Sequence, residues 1–206
     1  NKQTTEGIAR KRCAGSSIEI MDRSKTLEIA PQLHRWNTPF THSIFSTSDD
    51  IADPNEFSKS LAKFLAKVGV EQRYSTLVTA ATPSAEGNCL HAGTDHVTYD
   101  AVVICTGSVS TTKSSHNLLR HTNQQPAIYP IAGYSLSLRA GTACPEPSIT
   151  VLAERLVMAK LADRVRIAGF ADINPNPNLL QKRLEALRTA AERIAPEAAC
   201  YSDANK

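Results

Sequence analysis

Five consecutive apolar residues, Ala101-Val102-Val103-Ile104-Cys105, do most to limit what this chain can fold into. The stretch leading into them, from His96, alternates in polarity, and then the alternation stops. A strand that is apolar on both faces is stable only where both faces are covered. The run therefore predicts a strand buried between layers, as in an α/β sheet. Thr106-Gly107 ends it, and the polar stretch from Ser108 to Gln125 reads as a loop.

Around this strand the pattern switches between helical and extended periods. Asp53-Pro54-Asn55-Glu56 supplies an N-cap, a proline at the first helical position and a glutamate at the third. Phe57, Leu61, Phe64, Leu65 and Val68 follow at helical spacing, and Gly69 stands where a left-handed residue ends a helix. The spacing predicts a helix over 53–68, then a strand over 71–80. Pro, Ser, Gly and Asn between Thr82 and Gly93 predict turns between antiparallel strands. Further strands are expected within 127–138, 148–161 and 164–173, the last two joined at Asp163-Arg164. Leu180, Leu184, Leu187, Ala191 and Ile194 then mark a helix over 178–195 that Pro196 ends.

Composition removes several function classes. The net charge is +3, and the basic residues are interleaved with acidic ones, with no basic block flanked by stacking aromatics, so nucleic acid is not an expected partner. No run of about 18 apolar residues occurs, so no transmembrane segment is expected. The N-terminal residues carry no apolar core of a secretion signal. The five cysteines include no Cys-x-x-Cys pair, which weakens zinc and redox readings and suits free thiols in a reducing cytoplasm. His91 and His96 can meet across a hairpin. Without a carboxylate or cysteine partner they are weak grounds for a metal, and no metal is expected. Ser108 and Ser110 lack a Gly-x-Ser-x-Gly elbow.

Four stretches, in order, resemble the D-amino-acid dehydrogenase branch of the glycine oxidase and D-amino-acid oxidase superfamily. They are FSKSLAKFLAKVGVEQRYST within 53–76, YDAVVICTG at 99–107, YPIAGYSLSL at 129–138 and ITVLAERLVMAKLADRVRIAGFADI at 149–173. The resemblance runs from about Ile18 to Pro196. It implies a mixed α/β (α+β) fold: a largely antiparallel sheet of the substrate-domain type flanked by helices, with a remnant of a flavin-binding domain. Residues 1–206 are then expected to form one compact unit, with 18–98 and 126–196 substrate-domain-like and 99–110 a flavin-domain-like strand.

The resemblance further implies FAD as cofactor and a D-amino acid as the parent's substrate, oxidised by hydride transfer to flavin. It points to Val78, Thr106 and Gly107 for cofactor binding and to Tyr134 and Gly169 for the substrate side; catalytic residues stay unassigned. Each has a plainer reading: a core valine, a strand-to-loop turn, a core tyrosine, and a close approach or bulge in a strand. It also implies a cytoplasmic location, peripheral to the inner membrane.

Two departures from the family pattern bear on activity. The flavin pyrophosphate needs a glycine-rich turn opening a helix, where backbone N–H groups can be approached closely. The nine glycines here stand at 7, 15, 69, 87, 93, 107, 133, 141 and 169, so no Gly-x-Gly occurs. The family's Gly-Leu-Arg-Pro motif, whose arginine suits a substrate carboxylate, is also missing, and Ala132 stands where the family has lysine. Weak or no FAD binding is therefore expected of this chain alone. The alternatives are a non-enzymatic binding module that kept the fold, or one chain of a two-chain flavoenzyme with a flavin-binding partner chain.

Overall fold

The computed structural model describes Gly15, residues 17–107, Leu118, residues 128–173 and residues 176–202. The fold mixes helices with antiparallel sheets, as the resemblance implies. The chain divides into two compact units. The first comprises the described parts of Asn1–Phe57, Gly133–Ala171 and Asn176–Lys206; the second those of Ser58–Ala132 and Asp172–Pro175. The division has a local cause: the middle of the chain closes a meander of its own.

In the first unit, β1 (Ile18–Asp22) pairs antiparallel with β2 (His42–Ser46). Asp22 ends β1 and caps α1 (Arg23–Ile29), its carboxylate accepting the Lys25 N–H at 2.9 Å. Thr26 is buried because both of its needs are met: its hydroxyl donates to the Asp22 carbonyl at 2.6 Å and lies 2.7 Å from the Ser43 hydroxyl. A 3-10 turn over Pro31–Arg35 continues from α1.

The larger sheet of this unit has the order β6-β9-β8-β7, from Ile131–Arg139, Arg164–Ile173, Leu156–Leu161 and Ile149–Val151. Leu156 and Met158 on β8, and Val165 and Ile167 on β9, are fully buried at every second position, which is the strand period with one face inward. Helix α3 (Leu180–Ile194) contributes Leu187, Ala191 and Ile194 to the same buried cluster, at i, i+4 and i+7. Trp36 and Tyr201 join the cluster with their polar tips satisfied, on the Ala143 carbonyl at 3.3 Å and the Ala195 carbonyl at 3.0 Å. Asn37 closes the end of α3, its backbone N–H donating to the Ile194 carbonyl at 2.6 Å and its side chain to that of Arg193 at 3.0 Å.

Helix α2 (Pro54–Lys67) lies within the predicted span. Asp53 caps it, accepting the Asn55 N–H at 3.0 Å, and pairs with Arg164. Burial pushes the Asp53 carboxyl up, but the hydrogen bonds from Asn55, Arg164 and Glu56 outweigh that and hold it below its ordinary value. Gly69, at φ 89°, ends the helix, with the Val70 N–H donating to the Leu65 carbonyl at 2.9 Å. The apolar stripe Phe57, Leu61, Phe64 and Val68 is exposed.

The second unit holds a three-stranded meander, β3 (Ala80–Ser84), β4 (Gly87–Ala92) and β5 (Asp95–Tyr99), antiparallel throughout. Two-residue links join the strands. Glycine is required where β4 begins: at Gly87, with φ 141°, a β-carbon would lie 2.4 Å from the Tyr99 carbonyl oxygen. The strand expected over 71–80 starts only at Ala80, because Ser75 turns the chain at φ 53°.

The buried strand expected at Tyr99–Cys105 is not formed. β5 stops at Tyr99, residues 101–106 carry no ladder, and Val103 is 84% exposed. Register supplies the reason. Tyr99 lies opposite Asn88, one residue from the start of β4, where the chain has just turned in from β3. Beyond Asp100 the run outreaches β4, the one strand beside β5 among the described residues, and an apolar sequence does not make a ladder without a partner strand. Val103→Ala is accordingly expected to change stability by less than about 0.5 kcal/mol, as an exposed substitution does. A denaturant titration showing a loss above about 1 kcal/mol would restore Val103 to a core.

Candidate functional site

The residues assigned to the cofactor side fall in the second unit, and those assigned to the substrate side fall in the first. Val78 is half-buried just before β3, while Thr106 and Gly107 follow β5 and are exposed. β3 and β5 are the two edges of the meander. Gly107 has φ 60°, and a β-carbon there would meet no atom within 4 Å. The backbone conformation, not crowding, is what favours glycine at this position.

Tyr134 is buried on β6. Gly169 lies on β9 opposite Leu156, where an added β-carbon would sit 2.8 Å from the Arg155 carbonyl oxygen and 3.0 Å from Leu187 Cδ1. Phe170 next to it is left-handed at φ 59°, and the Arg183 guanidinium lies 5.0 Å from the centroid of its ring. Gly169 thus answers to the close approach of the Arg155 backbone, with Leu187 of α3 next to it. A shallow groove along α3, lined by Gln181, Lys182, Glu185, Thr189 and Arg193, is open to solvent. Its Glu185 is engaged by Arg188 and its Arg193 by Glu154.

A dinucleotide phosphate needs free N–H groups at a helix N-terminus. At α1 and α2 those groups already face carboxylates of the chain itself, Asp22 on Lys25 and Asp53 on Asn55. A second anion at either end would meet that negative charge. The sequence has no Gly-x-Gly, and the carboxylates of Asp22 and Asp53 occupy the N-termini of α1 and α2, so neither end is built for a flavin pyrophosphate.

A family profile described as DAO, FAD dependent oxidoreductase, matches residues 2–204. The chain belongs to this FAD-dependent oxidoreductase family. Among the family's proteins, a D-amino acid dehydrogenase from Dechloromonas aromatica (strain RCB) is 32% identical over 191 residues, covering 88% of this chain and 44% of that protein. Glycine oxidase from Geobacillus kaustophilus superposes with a TM-score of 0.75 at 15% identity, over 97% of this chain and 55% of that one. L-proline dehydrogenase from P. horikoshii does so at 0.68 and 14%, over 95% and 52%. These two share the fold. The chain spans about half the length of the relatives it matches.

The sequence pairs His91 with His96 across a hairpin, and the structure adds a third donor to them. Cys89, His91 and His96 converge on one face of the meander, with a donor atom of each within 4.8 Å of the others. The signal was present as Cys-x-His on one strand and a histidine directly opposite across a two-residue turn.

Proposed function

We propose that this chain is a segment of an FAD-dependent oxidoreductase acting on D-amino acids. The observation that carries the reading is the 32% identity to a D-amino acid dehydrogenase over 191 residues. In that reaction class the redox chemistry belongs to the cofactor, and the protein orients the substrate. By itself the chain binds FAD weakly or not at all and oxidises no D-amino acid, because two phosphate charges would find neither a glycine-rich turn nor an uncovered helix N-terminus at α1 or α2.

Isothermal titration of the purified chain with FAD, and dye reduction with D-alanine, test both halves. The expected results are no saturable heat and no turnover above a buffer blank. A dissociation constant below about 1 μM, equivalent to about 8 kcal/mol of binding, would defeat the reading of the phosphate site. Turnover by the lone chain would show it to be a minimal flavoenzyme.

A second reading has its own support. Phe57, Leu61, Phe64 and Val68 form an exposed apolar stripe on α2, and Val103 is exposed in an apolar run with no partner strand among the described residues. Further polypeptide carrying the phosphate-binding turn, in the same or a separate chain, would cover both. No helix among the described residues is long and apolar enough to cross a membrane. The cytoplasmic, membrane-peripheral location stays part of this proposal.

A further inference from the structure

We propose that Cys89, His91 and His96 form a binding site for a thiophilic cation of the Zn2+ class on the meander of the second unit. Strand alternation puts Cys89 and His91 on one face of β4, two residues apart. The β4–β5 register sets His96 directly opposite His91 and Thr98 opposite Cys89, so all three donors share that face. The imidazole rings meet edge to face, with centroids 4.7 Å apart.

The geometry is near what a tetrahedral cation needs. Bonds of about 2.3 Å to sulfur and about 2.0 Å to nitrogen place neighbouring donors about 3.5 Å apart. The observed group, within 4.8 Å, must close by about 1 Å, which side-chain rotation at half-buried and exposed positions allows. Ligand softness selects the ion: one thiolate with two imidazoles suits Zn2+, not Mg2+ or Ca2+. Three protein ligands leave a fourth position for water or an external donor.

A supporting contact orients one ligand. The Thr82 hydroxyl lies 2.9 Å from His91 Nε2, which holds the ring in place. The other described thiols lack such company. Cys144 is buried, and burial pushes its thiol up and away from the thiolate. Among the described residues no other three His, Cys, Asp or Glu donors converge in this way.

The test uses the full chain, stripped of metal by chelation and titrated with Co2+ as a spectroscopic substitute for Zn2+. A saturable thiolate-to-Co2+ charge-transfer band is expected, displaced by stoichiometric Zn2+. Cys89→Ser should abolish the band. His96→Ala, at an exposed position where the fold is not at stake, should abolish or strongly weaken Zn2+ binding, with far-ultraviolet circular dichroism unchanged. Thr82→Val should weaken Zn2+ binding about 10-fold and keep the band. Cys105→Ser and Cys200→Ser should leave the titration as it is. Absence of the band, its survival in Cys89→Ser, or its loss in Cys105→Ser or Cys200→Ser would overturn the site.

Discussion

Ile167→Ala is expected to destabilise the first unit by about 2–5 kcal/mol, the range for truncating a fully buried aliphatic residue to alanine. Ile167 lies on β9 opposite Met158, and both are 0% exposed. They belong to the cluster that also holds Leu156, Val165, Leu187 and Ile194. The substitution removes three carbons from a site ringed by strand and helix, and neither the ladder partner nor α3 can move in without giving up contacts of its own. Part of the loss is transfer free energy, and the rest is the cavity that remains. Leu152→Ala is the matched control, since Leu152 is exposed and should change stability by less than about 0.5 kcal/mol. Urea titrations with unchanged slopes would separate the two. A loss below about 1 kcal/mol at Ile167 would mean that β8, β9 and α3 do not enclose a common core.

This core was largely legible in the sequence, because its elements carry long, clean periods. β9 falls at the predicted residues 164–173, and α3 buries Leu187, Ala191 and Ile194 from the predicted stripe. Helix α2 was legible for another reason, its cap and stop signals at Asp53 and Gly69. Residues 18–46 were not legible: β1 buries only Ile18 and Met21, a spacing of three that matches no strand period, and α1 buries a threonine. The Ala101–Cys105 run was misjudged because apolar composition states a need for cover on both faces and says nothing about which strand provides it. The polar stretch 108–125, read as a loop, lies outside the described residues apart from Leu118.

The candidate site divides along the same line. Gly169 was identified as a position of close approach, and the Arg155 carbonyl and Leu187 are what approach it. Cys89 was passed over because cysteines were judged by their spacing along the chain. The His91–His96 pairing across the hairpin was legible; that Cys89 shares its face becomes visible only once the register sets Cys89 opposite Thr98 and His91 opposite His96.

The same close-approach argument makes its strongest demand at a glycine the sequence did not single out. Gly141→Ala is expected to cost about 2–4 kcal/mol, from overpacking of about 1–3 kcal/mol together with a lost hydrogen bond of about 1 kcal/mol. A β-carbon at Gly141 would lie 2.2 Å from the Glu197 carbonyl oxygen and 3.0 Å from the Ala199 nitrogen. Both are backbone atoms, so no side-chain rotation relieves the clash. The surrounding backbone is also tied in place. Gly141 N–H donates to the Ala198 carbonyl at 3.0 Å, Ala143 N–H to that of Glu197 at 2.8 Å, and Cys200 N–H to that of Arg139 at 2.9 Å. Ala143, Ala195 and Ala198 are fully buried beside this lacing, small residues where the two segments press together. Making room for one methyl group therefore means pulling 197–199 away from 140–143 and breaking bonds that no water replaces at once. Gly133→Ala on β6 is the control: its β-carbon would meet nothing within 4 Å, so a change under about 0.5 kcal/mol is expected. Denaturant titration measures the cost, and hydrogen exchange locates it, with protection of the Ala143 and Cys200 amides expected to fall first. If Gly141→Ala proves as mild as Gly133→Ala, the segment after α3 is not docked on the 140–143 turn, and the first unit ends at Ile194.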